Sequence, residues 1–253
     1  MSQIRHTSAD EPFFLIRTLG LQVATGRDTG RHTHDWSQLI YCSAGVMTVW
    51  TERGSWVAPP HWAIWVPAGV THDIHFAGPA ALRTLYLRAD VASTVPHGCA
   101  VFTVSPLLRE LILRAVDLRM LDERVLTHVR VAGLIVDEMA RRDTPPFDLP
   151  APVSEPARRA ADLLSVGGAN LGTKRLATRI GVSARTLERR FLRETGMSVA
   201  GWGRQARLLL SLRLLAAGEP VKSVSVAAGY RTPSAFVAAF RTAFGETPAK
   251  YFS

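Results

Sequence analysis

A chain of 253 residues is long enough to form two domains, each with its own core. Its two cysteines, Cys42 and Cys99, argue against a disulfide framework or a cysteine zinc site. The opening residues MSQIRHTSADEPF lack a secretory apolar stretch and no apolar run reaches membrane-spanning length, so a reducing cytoplasm is expected. The net charge of +9 is carried by one end. Residues 151–253 hold 16 Lys and Arg against 6 Asp and Glu, and the rest hold 14 against 15. A basic half attracts phosphate backbones, and the step in charge suggests two jobs.

From about Phe13 to Leu87 the chain reads as strands. The runs QLIYC, GVMTVWT, AIWVPAG and LRTLYL are short, β-branched or aromatic, and broken by Gly and Pro. They predict a small antiparallel barrel or jelly roll, assigned to residues 1–100. Within it, His32, His34 and Gln38 are spaced by even intervals, which on a strand directs them to one face. His72 would approach from another strand. Three imidazoles and an amide oxygen form a donor set for a divalent transition metal, weaker than one that includes a carboxylate. The same residues can instead line a ligand pocket without metal. His61 and His75 read as ordinary polar or surface histidines. Five of the six tryptophans fall in this half: Trp36, Trp50, Trp56, Trp62 and Trp65. Some must be core, and Trp36, Trp50 and Trp65 are candidates to line an effector pocket.

Near Ser105 the period changes to that of a helix. Ser105 is placed to N-cap it and Pro106 fits its first turn. Leu107, Leu108, Leu111, Ile112, Ala115 and Val116 share one face. A second amphipathic stretch runs from about Asp122 to Arg142, with Val125, Leu126, Val129, Ala132, Ile135, Val136 and Met139 as its apolar positions. These stripes must be buried on the barrel or on a second subunit, so residues 101–143 form a helical dimerisation or linking region. Next comes DTPPFDLPAPVSEP with five prolines, a semi-rigid linker assigned to residues 144–156.

Residues 157–253 read as all-helical. A helix begins near Glu155, with Gly167 and Gly168 after its end. Others are expected near Thr173–Ile180, Ala184–Glu194, Ser198–Ala217, Val221–Ala228 and Pro233–Ala243, with a short turn after Pro248. The segment contains a repeat. Leu176 and Gly181 recur 48 positions on as Val224 and Gly229; Leu187, Phe191 and Gly196 recur 49 positions on as Phe236, Phe240 and Gly245. Two copies of one helix-turn-helix module are implied, each able to place a helix in a DNA major groove. Gly181 and Gly229 supply positive φ at the turns, and Ser183 and Thr232 N-cap the second helices. Leu176, Ala177, Ile180, Leu187 and Phe191 pack the first module. Arg185 and Arg189, four apart, share a helical face and suit guanine O6 and N7, while Arg190 and Thr186 suit phosphate. The second helix offers Ser234, Ala235 and Ala238, preceded by Arg231 and Thr232, and should discriminate bases weakly. The helix of about 20 residues between the modules spans roughly 30 Å, near one turn of B-DNA.

The segment from about Glu155 to Phe252, with LATRIGVSARTLERRF, GYRTPSAFVAAF and FGETPAKYF, resembles the DNA-binding domain of the AraC/XylS family of bacterial transcription regulators. The resemblance implies seven helices and asymmetric promoter sites. It places first-module readers on Arg185, Glu188 and Arg189, and second-module readers on Pro233, Ser234, Ala235 and Ala238. Family members often carry a polar or basic residue where Ala238 stands. The pattern His32-x-His34-x3-Gln38-x6-Gly45, followed by Pro67-x-Gly69-x2-His72, resembles the two motifs of the cupin barrel. Gln38 takes the place of the usual Glu, His61 that of a leading Gly, and Phe76 that of a final Asn. The expected protein is thus α+β and multidomain: a cytoplasmic, non-enzymatic regulator, with a small-molecule or metal effector in its barrel. Its expected partners are promoter DNA, a second copy of itself and RNA polymerase, with activation or repression open. A metal-dependent cupin enzyme fused to a DNA-binding domain is the alternative; a DNA-bending protein without a sensor is a third.

Overall fold

The computed structural model describes residues 13–24, 26–95, 97–140, 148–165 and 171–252. The chain divides into two compact units, 1–52 with 56–148, and 53–55 with 149–253. The expected end of a helix at Gly167 and Gly168, and the linker residues 143–147, lie outside the described residues.

In the first unit the strands are β1 (Phe14–Val23), β2 (Ser37–Cys42), β3 (Met47–Thr51), β4 (Gly54–Ala58), β5 (Trp62–Val66), β6 (His72–Phe76), β7 (Ala80–Leu87) and β8 (Ala100–Thr103). They precede α1 (Pro106–Leu118), β9 (Met120–Asp122) and α2 (Leu126–Ala140). One sheet runs β8-β5-β2-β7-β1-β9, and β4, β3 and β6 lie side by side in a second. Two antiparallel sheets with this patterning make the expected cupin-like jelly roll.

Register decides what faces what. Gln38 pairs with Tyr86 and Val66, and Arg17 also pairs with Tyr86, so these side chains share one face of the larger sheet. The next positions along, Ile16, Leu39 and Leu85, are completely buried in a core with Leu108, Ile112, Ala115, Ala132, Ile135 and Met139 from α1 and α2. Helices therefore cover one face of the sheet and the barrel interior takes the other. That is why every residue of β2 is buried and its sequence does not alternate.

Ser105 caps α1 as expected, its hydroxyl accepting from the Leu108 N–H at 3.0 Å. Leu107, expected in the buried stripe, is instead exposed, while Leu108 beside it turns into the core against the sheet. Val125, Leu126 and Val129 are exposed too, so α2 buries a narrower stripe than its sequence offers. Strand β9 was not expected from the sequence, since three residues are too few for alternation to register. The chain enters it through Arg119 at φ 66°, whose carbonyl accepts from the Thr18 N–H at 3.1 Å and its hydroxyl at 2.7 Å.

In the second unit a short strand, β10 (Asp148–Pro150), precedes seven helices among the described residues. These are α3 (Glu155–Ser165), α4 (Thr173–Ile180), α5 (Ala184–Thr195), α6 (Val199–Ala216), α7 (Val221–Ala227), α8 (Pro233–Phe244) and α9 (Pro248–Tyr251). Leu176, Ala177, Ile180, Leu187 and Phe191 join Trp202 and the alanines of α3 in one core. The second module is centred on Val224, Phe236 and Phe240, ringed by Tyr230, Phe244 and Tyr251.

Candidate nucleic-acid interface and barrel site

The two modules repeat the same closing bond at their turns. In the first, the Val182 N–H donates to the Ala177 carbonyl at 3.0 Å; 48 residues on, the Tyr230 N–H donates to Ser225 at 2.9 Å. Gly181 and Gly229 sit at φ 84° and 73°. Ser183 then caps α5, accepting from the Thr186 N–H at 3.1 Å, and Thr232 caps α8, accepting from Ala235 at 3.2 Å. Ser183 and Thr232 are 49 apart, so the inserted residue is Arg231, between Tyr230 and the cap. Gly196 and Gly245, both left-handed, close α5 and α8.

On α5, Arg185 and Arg189 are exposed, and Thr186 and Arg190 are half-buried. On the first turns of α8 the exposed residues are Pro233, Ser234, Ala235 and Ala238, with Arg231 and Thr232 exposed ahead of them and Arg241 and Thr242 exposed toward its end. The first surface is cationic and long-reaching; the start of the second is small and nearly apolar.

Glu188 is differently employed. Its Oε1 accepts from the Thr173 hydroxyl at 3.0 Å and its Oε2 from the Val199 N–H at 3.1 Å. Both carboxylate oxygens thus hold helix starts, those of α4 and α6, where the macrodipole favours a negative charge. Glu194, the penultimate residue of α5, does the same for α3, accepting from the Val153 and Ser154 N–H groups at 2.9 Å each. Burial raises the Glu194 pKa, but these hydrogen bonds and the Arg193 charge outweigh it and the net direction is down. Neither glutamate's role is legible in the sequence, because the partners lie 11 to 41 residues away.

In the barrel, His32, His34 and His72 converge, with one ring nitrogen from each lying within 4.8 Å of the others. His32 and His34 are not on a regular strand as expected. They lie in the extended segment ahead of β2, tied to β6 by an isolated bridge in which His32 and His72 exchange N–H···O bonds of 2.9 Å. Each Nδ1 faces a backbone carbonyl: Gly30 for His32 at 2.7 Å, Trp36 for His34 at 2.7 Å, Val70 for His72 at 2.9 Å. A carbonyl only accepts, so each Nδ1 carries the hydrogen and each Nε2 of the neutral ring offers a lone pair.

Gln38 Oε1 lies 2.9 Å from His34 Nε2 and 3.0 Å from His72 Nε2. The amide orientation is fixed. The Thr84 hydroxyl donates to the Leu39 carbonyl at 3.1 Å and must accept from Gln38 Nε2 at 2.9 Å, which also donates to the Tyr86 hydroxyl at 3.1 Å. Lone pairs therefore face lone pairs. Burial lowers the His72 pKa to about 4 and lowers that of His34, so protons do not relieve the conflict near neutrality.

The three tryptophans considered for an effector pocket are not brought together. Trp65 packs in the core under α1 and α2, Trp50 is 46% exposed on the outer face of β3, and Trp36 is buried beneath the Arg17 guanidinium, 4.6 Å from its ring. His75 is paired with Asp28.

Paired helix-turn-helix modules on a basic helical unit, with a polar-lined barrel on the other, define a DNA-binding regulator with a ligand-binding domain. Residues 19–131 match the AraC-like ligand binding domain, and residues 176–253 match a helix-turn-helix domain. The chain is similar to the HTH-type transcriptional regulator NimR of Escherichia coli, 30% identical over 88% of this chain and 81% of that protein. It is also similar to the regulator RipA of Corynebacterium glutamicum, at 36% identity over 48% of this chain and 35% of the other. Among solved structures, ToxT from Vibrio cholerae with a bound unsaturated fatty acid aligns over 95% of each chain, at 11% identity and a TM-score of 0.38. The DNA-binding domain of AdpA in complex with a target DNA aligns over 39% of this chain and 91% of its own, at 33% identity and a TM-score of 0.36. The chain belongs to the AraC family of helix-turn-helix transcriptional regulators. It is a sequence-specific DNA-binding regulator of transcription that carries a ligand-binding domain. None of its described helices is long and apolar enough to cross a membrane.

Proposed function

We propose that the protein is a cytoplasmic, homodimeric, non-enzymatic regulator whose barrel holds a divalent transition metal on His32, His34, His72 and Gln38. The observation that carries the metal reading is the meeting of acceptors. Three imidazoles, each fixed by a carbonyl in the tautomer that frees Nε2, cluster together, and two of them meet an amide oxygen that Thr84 and Tyr86 prevent from flipping. Such second-layer hydrogen bonds are what orient metal-ligating histidines. A bound ion would supply a Lewis-acidic charge at which an effector can be ligated. Metal analysis of untagged protein purified without added metal should give near-stoichiometric metal, lost in His32→Ala/His34→Ala. Unchanged metal content in the double variant would remove the site.

On DNA, Arg185 and Arg189 read bases, and Ser183, Thr186, Arg190, Arg231, Thr232 and Ser234 fix the phosphates. The exposure of Arg185 and Arg189 on one face of α5 supports this. Arg189→Ala should lose about 1–3 kcal/mol of binding to the specific site and much less to random DNA. Equal losses on both would reduce Arg189 to a phosphate contact. The dimer is formed through α2, whose outward face exposes Leu126, Val129 and Leu134, with RNA polymerase the partner downstream of promoter binding.

A further inference from the structure

The four donors in the barrel share a property that a metal site with a carboxylate lacks: all are neutral. Among the described residues no carboxylate joins the histidine cluster. The acids nearest the histidines in sequence are employed elsewhere or exposed: Asp73, next to His72, accepts from the Thr29 hydroxyl at 3.1 Å, Asp28 pairs with His75, and Asp35, next to His34, is exposed. Asp73 pairs in register with the exposed Trp50, on the outer face of its sheet. A buried positive charge shares the sheet face that carries Gln38. Arg17 is 4% exposed, lies opposite Tyr86 on the sheet face that carries Gln38, and stacks on Trp36, whose carbonyl orients His34.

We infer that the effector is a small anion, a carboxylate or similar oxyanion, whose charge supplies what Gln38 withholds. This rests on the metal reading above. A divalent ion bound by three imidazoles and an amide keeps its full charge in a partly buried place, an arrangement that becomes favourable when an anion completes it. A carboxylate at position 38 would satisfy that demand from within the protein and weaken the response. The neutral glutamine leaves the demand for the effector to meet.

The test uses the full chain loaded with cobalt(II), whose visible absorption reports its ligands. Azide and acetate should each shift the spectrum saturably, and acetamide, acetate's neutral counterpart, should not. Gln38→Glu should still take up cobalt(II) and bind azide at least tenfold more weakly. Cobalt uptake with no response to azide or acetate, or with acetamide as effective as acetate, overturns the inference and leaves the metal site intact. Unchanged azide affinity in Gln38→Glu also overturns it. No cobalt uptake by the wild-type protein removes the metal reading and the inference together. The acetate–acetamide comparison needs no variant and decides alone if Gln38→Glu does not fold.

Discussion

Glu188 illustrates how a residue's neighbours decide its role. By resemblance it falls among the base readers of the first module, yet both of its oxygens are engaged with Thr173 and Val199. Releasing it toward DNA would leave two helix starts without their acceptor. Glu188→Ala should therefore lower stability by about 1–2 kcal/mol, the usual effect of losing a cap or a buried hydrogen bond. Glu188→Gln, which keeps one acceptor, should lose less. Urea denaturation of both variants checks this; a Glu188→Ala protein as stable as wild type but altered in base preference would return the residue to readout. Glu194 adds a pH signature. Its pKa is lowered in the folded state, so the stability it lends is complete at neutral pH. That contribution fades as pH falls through the ordinary carboxylate range toward the lowered value. Glu194→Gln should accordingly be destabilised near pH 7 and match wild type in acid, in paired denaturation curves at the two pH values.

At the level of elements, the turns separate two uses of glycine. Gly181 sits at φ 84° with open space where a Cβ would go, so Gly181→Ala incurs only the left-handed penalty, about 1–2 kcal/mol. Gly45, between β2 and β3, has φ 83°, and a Cβ there would fall 2.4 Å from the Pro79 carbonyl oxygen. Backbone must move as well, so Gly45→Ala should cost about 3 kcal/mol or more and be visible as a lowered Tm of the barrel. Features such as these were legible because they are local. The turn glycines, the caps Ser105, Ser183 and Thr232, and the apolar stripe of α5 are each written within four residues of their partners. The repeat offsets even fixed where the second module carries an extra residue, though not that it is Arg231. What escaped the sequence depends on distant partners. Examples are the pairing of β9 with β1, the grip of Thr84 and Tyr86 on Gln38, and the placement of Trp65 under the helices rather than in a pocket. His32, His34 and Gln38, read from their even spacing, do meet His72 from another strand, but the means is a bridge to β6 and not the regular strand that the spacing suggested.

Over the whole molecule, the surface of α2 is where association is to be sought. Leu126 is 62% and Leu134 45% exposed, with Val129 and Gly133 also open between them. Arg130 and Asp137, exposed and seven residues apart, lie on the same side two turns from each other. A second α2 laid antiparallel about a two-fold axis between Gly133 and Leu134 would set each Arg130 opposite the other copy's Asp137. It would also let the backbones approach at Gly133, where a Cβ would have no atom within 4 Å. The charge pair fixes direction more than affinity, while the apolar stripe supplies the attraction. Leu134→Glu puts like charges beside that axis and Leu126→Glu replaces an apolar contact by a charge, so the double variant should convert a dimer to a monomer in sedimentation equilibrium. Since α2 holds its own barrel through Ala132, Ile135 and Met139, the monomer should keep its thermal stability. Its binding to a promoter with two half-sites should weaken by about 10²-fold or more as the second contact ceases to be intramolecular, while binding to a single half-site stays unchanged. A wild-type protein that sediments as a monomer at micromolar concentration, or a double variant that remains a dimer, would move the seam off α2.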